Sequence, residues 1–264
     1  MLYKERRQAI IREYLEQHEQ VDVKELAQEF NVSEMTIRRD LNALDQRGLL
    51  KRTHGGAINH DAYPSTAFRK ILNRIDLQKD EKQAIGQYVA SLVKPGATIY
   101  IGAGTTAYWV AKNVFSIRDL TVVSNSLLIA NLISQNDYIN LILVGGYLRR
   151  REYTFIGRLA EMTMENLHFD MVIVGMDGIH PEYGLTSHHP PELMTDRTFL
   201  NMSDKVLVVA DHTKIGHVST HKTADITSVN SIVTTHKAPS DIVAEIRKIG
   251  VEVTLLNGKG VSMN

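Results

Sequence analysis

The sequence predicts an α/β protein in two parts: a small helical segment over residues 1–58 and a larger parallel-sheet domain over residues 80–264, joined by a linker over 59–79. Three observations carry that expectation. Apolar residues in the first part recur at helical spacing over short stretches. Beyond Asp80 the pattern changes to short β-branched runs separated by helical segments. Those runs lack polar alternation, as do strands buried on both faces of a parallel sheet covered by helices.

A chain of 264 residues is ample for a substantial core, and 43% hydrophobic with 23% charged residues is ordinary for a soluble globular protein. There is no cysteine. Disulfides and thiolate metal sites are thereby excluded, and a reducing cytoplasm is the expected location. "MLYKERRQAIIREYLEQH" spreads its charges with no apolar core, unlike a signal peptide. No apolar run approaches the ~20 residues of a membrane span. The formal net charge is zero, so a nucleic-acid partner would have to show in the placement of charge.

In the first part, "ERRQAIIREYLEQH" puts Ile10, Ile11, Tyr14 and Leu15 on one helical face. Asp22 followed by Glu25 is a capping-box pattern opening "VKELAQEF". "NVS" makes a turn, Ser33 caps "EMTIRRDLNALDQRG", and Gly48 stops it. "LLKRTHGGAI" reads as two short strands around Gly55-Gly56. Helix, helix, turn, helix and hairpin is the winged helix-turn-helix order. In the third helix Ile37, Leu41 and Leu44 share the inward face. At about 100° per residue, Met35, Arg39 and Asn42 point opposite, flanked by Thr36 and Arg38. Those groups pair with base edges and phosphates, and the helix start favours a phosphate. Lys51, Arg52 and His54 would form a wing on the DNA backbone or minor groove. Asp40 and Glu34 are expected to temper the charge of this face. Helix-turn-helix modules also mediate protein contacts, which leaves that alternative open.

The linker, "NHDAYPSTAFRKILNRIDLQK", contains Pro64 and a short amphipathic docking helix. "DEKQAIGQYVASLV" is helical. The strand runs are "TIYI", "LTVVS", "LILVG", "MVIVG", "VLVVA" and "SIVTT". Five of them end in glycine or small polar groups. Ligands of open α/β sheets bind at the carboxyl ends of strands, so those ends point to one crevice.

One such end, "IYIGAGTTAYWVA", reads as strand, loop and helix start. Gly102, Ala103 and Gly104 allow close backbone approach, and Thr105 and Thr106 add hydroxyls to the free amides of a helix start. An anion fits there, as does a plain turn with a threonine cap. Gly102, Gly104 and Ala107 formally fit G-x-G-x-x-G/A, but "LTVVS" ends in Ser124-Asn125-Ser126, without the acid a dinucleotide ribose needs. No G-K-S/T follows, which disfavours ATP. No cofactor is expected. A small phosphorylated metabolite fits better, with Asn125, Ser126, the Gly145 and Gly146 amides, Asp177, Gly178 and Lys214 serving its hydroxyls and charge.

"VSEMTIRRDLNALDQRGLLKRTHGGA" resembles the winged helix-turn-helix of the DeoR family of bacterial transcriptional regulators, whose hallmark is "TIRRDL" followed by "L…G…R.HGGA". The resemblance covers nearly the whole chain. It implies that Ser33 to Asn42 form the recognition helix, with Thr36, Arg38 and Arg39 at the operator. It also implies a C-terminal domain similar to ribose-5-phosphate isomerase that binds a phosphorylated sugar as effector. The family pattern "D-S-G-T-T" departs here, because Gly102 stands where the aspartate is usual. "TSHHPPEL", residues 186–193, is unusual for the family and is expected to shape a pocket wall.

The histidines show no ligand spacing, so no metal site is expected. Arg149-Arg150-Arg151 reads as a solvated loop, with a lesser reading in which one arginine holds a phosphate. Trp109 reads as core. No catalytic residue is assigned. The function expected is a DNA-binding regulator, a repressor of a sugar-metabolism operon, controlled by a phosphorylated sugar and acting as a homo-oligomer, dimer or tetramer, without a membrane partner. The alternative is a sugar-phosphate isomerase or deaminase with an accessory helical module, in which Asp177 and Lys214 would be an acid/base pair.

Overall fold

The computed structural model describes residues 3–18, 20–59, 66–165, 167–188, 195, 197–200, 202–257 and 262–263. The chain divides into two compact units, residues 1–66 and 67–264.

The first unit holds α1 (Lys4–His18), β1 (Gln20–Asp22), α2 (Val23–Glu29), α3 (Glu34–Gln46), β2 (Leu50–Arg52) and β3 (Gly56–Asn59). Ile11 and Leu15 of α1, Leu26 of α2, and Ile37, Leu41 and Leu44 of α3 form one core. The Asp22 carboxylate accepts from the amides of Lys24 and Glu25, which starts α2. Ser33 Oγ accepts from the Thr36 amide and starts α3. Gly48 ends that helix with a left-handed φ of +69°.

β1 is an element that the sequence reading omits, because a three-residue strand has no period to detect. It pairs antiparallel with β3, giving the order β1-β3-β2. The pairing explains Gly56: a Cβ there would lie 1.8 Å from the Val21 carbonyl oxygen. The residue is required by close approach of two strands rather than by the turn it was read as marking.

Asp40 corrects a second expectation. It does not temper the exposed face of α3, because it is buried. Its carboxylate accepts from Arg7 Nε and from Gln8 Nε2, tying α3 to α1. It lies beside Leu41 and one turn from Ile37 and Leu44, on the inward side.

The second unit begins with α4 (Thr66–Asp76) and α5 (Lys79–Ser91). There follow β4 (Thr98–Ile101), α6 (Thr105–Val114), β5 (Leu120–Ser124), α7 (Leu127–Ile133), β6 (Ile139–Leu143), β7 (Tyr147–Arg149), β8 (Thr154–Ile156), α8 (Arg158–Met164) and β9 (Met171–Val174). β10 (Gly178–His180), β11 (Gly184–Ser187), β12 (Val206–Val209), β13 (His221–Ala224), β14 (Ser231–Thr235), the helix Ser240–Lys248, β15 (Glu252–Leu256) and β16 (Ser262–Met263) complete it. So residues 67–76 of the expected linker belong to this unit, in the helix that opens it. Its Ile71 and Ile75 pack on Trp109, whose indole N–H donates to the Ile75 carbonyl at 3.1 Å. Pro64 and residues 189–193 of "TSHHPPEL" lie outside the described residues.

The main sheet runs β16-β15-β14-β12-β9-β4-β5-β6, all parallel except β16 at its edge. Alternate residues feed two cores. Ile99 and Ile101 point to one and Tyr100 to the other, so both faces are covered. "LILVG" departs from the expectation of a doubly buried strand. β6 is an edge strand, and Ile142 and Leu143 are 37% and 39% exposed. β15, the antiparallel pair β7–β8 and the three-stranded antiparallel sheet β10-β11-β13 are further elements the reading omitted. No described helix is long and apolar enough to cross a membrane.

The chain lays β4, β5 and β6 outward in one direction. It then returns to place β9 on the other side of β4 and continues through β12, β14 and β15. The order therefore reverses between β4 and β9, and at such a reversal the outgoing loops diverge and leave a crevice.

Asp40→Ala deprives the buried Arg7 of this carboxylate and should cost about 3–5 kcal/mol. Hydrogen exchange on the intact chain should accelerate across residues 3–59 while β4 and β9 keep their protection. Unchanged exchange in α1 and α3 would show that the pair does not hold the unit together.

Candidate functional site

α3 is the amphipathic helix that the spacing predicts. Ile37, Leu41 and Leu44 are buried, while Met35 at 60% exposure, Arg39 and Asn42 face outward. Thr36 and Arg38 are half-buried at the flanks. Ser33 Oγ lies 2.9 Å from Thr36 Oγ1, so this serine is engaged at the helix start. Arg38 pairs loosely with Glu34 at 3.4 Å, an exposed i,i+4 contact that a stronger acceptor can displace. The surface thus offers Arg39, Asn42 and Thr36 on a rigid helix, with Arg38 held in reserve. β2 and β3 form the hairpin, with Lys51 opposite Ile58 and Arg52 opposite Ala57. Lys51 and His54 are exposed and Arg52 is half-buried, its amide donating to Asp45 Oδ1 at 3.4 Å.

In the second unit a cavity of about 350 Å³ opens at the strand-order reversal. Gly102 and Gly175 end the two central strands. The Gly102 amide donates to the Ile173 carbonyl at 2.8 Å. A Cβ on Gly175 would lie 3.4 Å from the Ala103 oxygen and 4.0 Å from the Gly104 Cα. Gly104 has φ +126°, a conformation that favours glycine, and it opens α6 with no side-chain cap. The first-turn amides of α6 are therefore not taken by a capping side chain, and they carry the positive end of the helix.

Gly102, Ala103, Gly104, Thr105, Thr106, Asn125, Asp177 and Lys214 all line this cavity. Asn125 is oriented by its neighbours: Tyr100 Oη donates to its Oδ1 at 2.9 Å, and its Nδ2 donates to the Phe155 carbonyl at 3.1 Å. Asp177 Oδ2 accepts from the His188 amide at 3.1 Å and faces Ser187 Oγ at 3.4 Å. Asp211, in the "ADHTK" strand end, is buried on the cavity wall and accepts from the Thr213 amide.

Four expected residues do not line it. Ser126 is buried and its Oγ accepts from the Ile129 amide, capping α7. Gly145 and Gly146 carry the edge strand β6 round to β7, and a Cβ on Gly146 would lie 2.8 Å from the Ile156 oxygen. Gly178 lies within β10, where a Cβ would lie 2.5 Å from the His217 oxygen. Gly146 and Gly178 need small residues for packing, and a glycine in sequence does not separate that need from ligand approach.

The sequence reading also omitted wall residues. Arg74 comes from α4, and Glu152 from the β7–β8 turn, with Arg74 Nη1 2.6 Å from Glu152 Oε2. Among stretches the sequence did single out, Arg151 of the three consecutive arginines lines the cavity, as do Ser187 and His188 of "TSHHPPEL", the segment expected to shape a wall. Arg74 carries no local signal, since only tertiary packing brings α4 to the strand ends. Among the described residues no three acidic or imidazole groups gather to hold a metal ion.

Two buried charges stand behind the wall. Lys82 is 3% exposed and donates to the Arg74 carbonyl at 2.7 Å. Burial lowers its pKa to about 8, with Asp211 opposing the fall and Arg74 and Lys214 adding to it. Glu81 is also buried. Burial alone would raise its pKa, but bonds from His212, Lys237 and Thr235 outweigh that and hold it at about 2. His212 adjoins Asp211, so Glu81 ties the cavity loop to α5.

The description "DeoR-like helix-turn-helix domain" matches residues 7–62, and "DeoR C terminal sensor domain" matches residues 77–236. The transcriptional repressor AccR of Agrobacterium fabrum is 35% identical over 86% of this chain and 88% of its own length. The glycerol-3-phosphate regulon repressor of Escherichia coli is 31% identical over 92% of this chain and 95% of its own. Among solved structures, ribose 5 phosphate isomerase A from Neisseria gonorrhoeae shares 16% identity with a TM-score of 0.38, over 52% of this chain and 53% of that one. The chain thus spans about half the length of that isomerase.

The depressed pKa of Glu81 has a sign. Its contribution is fully present above the ordinary value of 4.5 and is lost as pH falls toward 2. A lowering of that size corresponds to about 3 kcal/mol, less the screening of the half-exposed Lys237. Urea titrations between pH 5 and about 2 should therefore show the Glu81→Gln variant losing less stability on acidification than the parent chain. Parallel acid limbs would mean that Glu81 is not held as described.

Proposed function

This chain belongs to the DeoR family of transcriptional regulators, and on that premise we propose that it is a repressor which binds operator DNA through α3 and the β2–β3 wing and answers to a phosphorylated sugar. The observation that supports the DNA reading best is the exposed face of α3. Thr36, Arg39 and Asn42 stand on a helix whose opposite side is fixed in a core. Arginine reads guanine and asparagine reads adenine in the major groove, whereas Lys51, Arg52 and His54 suit phosphates. A symmetric dimer or larger assembly would present two such helices to repeated half-sites.

The cavity supports the effector reading. A phosphate suits the first-turn amides of α6 together with Arg74, Arg151 and Lys214. The sugar hydroxyls suit Asn125, Asp177 and Asp211, which accept or donate in fixed directions. Gly102 removes the carboxylate usual in the family. A Cβ there would lie 3.3 Å from both Tyr100 and Val174, so this wall is already filled by neighbours. In this reading the cavity is a sensor. Its ligand acts by binding the DNA-free and DNA-bound states unequally.

Fluorescence anisotropy with operator DNA tests the first half: Arg39→Ala should weaken specific binding by about 1–3 kcal/mol, with the thermal unfolding profile unchanged. Undiminished affinity would remove α3 from the operator. A thermal-shift screen against phosphorylated sugars tests the second half, since a ligand of the folded state raises its melting temperature. Thr105→Val should reduce the shift given by the active sugar phosphate while operator affinity persists. An unreduced shift would take Thr105 out of the site.

A further inference from the structure

We infer that Arg74 and Glu152 form a latch across the mouth of the cavity, which an anionic ligand opens by taking the Arg74 guanidinium from Glu152. The inference rests on the reading of the cavity as an anion sensor and goes beyond it, by naming the group that detects the charge.

The two residues come from separate elements. Arg74 sits in the last turn of α4, and Glu152 in the turn between β7 and β8. Both line the cavity. Their contact at 2.6 Å joins the two walls, and the side chains are 41% and 21% exposed, so solvent and ligand can reach them. The backbone beneath Arg74 is fixed instead, since its carbonyl accepts from the buried Lys82. The guanidinium can therefore change partner by side-chain rotation while its main chain stays in place.

The turn that carries Glu152 is under local tension. Tyr153 has φ +54°, a left-handed conformation uncommon for a bulky residue. Neighbouring contacts hold it there. Its carbonyl accepts from the Leu127 amide at 2.8 Å, and its ring meets Phe68 of α4 edge-on at 5.0 Å. The turn is thus docked on α4 by the apolar packing of Tyr153 and by the Arg74–Glu152 ion pair, and the ion pair lines the cavity.

A phosphate monoester is the chemical class that competes. It offers Arg74 two oxygens in the planar geometry of a guanidinium and repels Glu152 at the same time. A neutral sugar offers neither, so it leaves the ion pair closed. The latch therefore discriminates by charge between a phosphorylated sugar and its unphosphorylated parent. The residue that does so lies on the helix that follows, in sequence, the segment leading from the DNA-reading unit.

Calorimetry of the full chain with inorganic phosphate as the probe tests this through a double-mutant cycle. Glu152→Gln should tighten phosphate binding about five- to tenfold, and Arg74→Ala should weaken it about tenfold or more, the scale of one charged hydrogen bond. The decisive comparison is the double variant. If Glu152 acts by holding Arg74, its substitution gives no gain once Arg74 is gone. A gain that persists in the Arg74→Ala background overturns the latch on Arg74 and leaves Glu152 acting by general repulsion or through Arg151, whose Nε lies 4.0 Å from its Oε1, with the anion site left standing. Absence of phosphate binding by the parent chain overturns the anion site and the latch together. Should Arg74→Ala fail to fold, Arg74→Gln serves in its place, keeping part of the stem and losing the charge. Glu152→Gln should give no gain in its presence.

Discussion

The Gly102 amide donates to the Ile173 carbonyl at 2.8 Å, and that join between the ends of β4 and β9 organises the second unit. The two strands are hydrogen-bonded neighbours, yet the chain leaves them in opposite directions across the sheet. Their loops must diverge, and the space they leave is the cavity. Every polar group around it arrives by that route or is brought to it. Thr105 and Thr106 follow β4 directly, Asp177 follows β9, and Asp211 and Lys214 follow β12.

Much of this was legible because burial on both faces leaves a plain mark. "TIYI", "MVIVG" and "VLVVA" have no polar alternation, and they are the three central strands. The same mark misled at "LILVG", where the residues are apolar but the strand is at the edge. Apolar character reports what a residue tolerates, and an edge position is decided by chain order. The glycines show a parallel ambiguity. Gly102 and Gly104 line the cavity, whereas Gly146 and Gly178 give way to carbonyl oxygens elsewhere. All four look alike in sequence because each answers the same demand for a missing side chain.

Charge was the least legible property. Asp40 follows two arginines in "IRRDL" and reads as part of an exposed, mixed face. It points inward, since the helix places it beside Leu41, and its partners Arg7 and Gln8 are more than thirty positions away. Arg74 and Glu152 are separated by 78 positions and meet only after the sheet has formed. Glu81 gathers His212, Thr235 and Lys237 from across the same sheet. Local spacing identifies which residues can carry charge chemistry. Which of them meet is settled by strand order.

Trp109 has a practical consequence. It is the chain's single tryptophan, and it stands four residues after the loop that opens α6. Its indole N–H is bonded to α4 at Ile75, and the Lys112 ammonium lies 4.7 Å from the centre of its ring. The protein therefore contains its own optical reporter, placed at the junction of α4 and α6 and undiluted by any second indole. A displacement of α4 changes the hydrogen bond and the local field of that one fluorophore. Its emission wavelength and lifetime can follow the helix in the unlabelled chain, in real time.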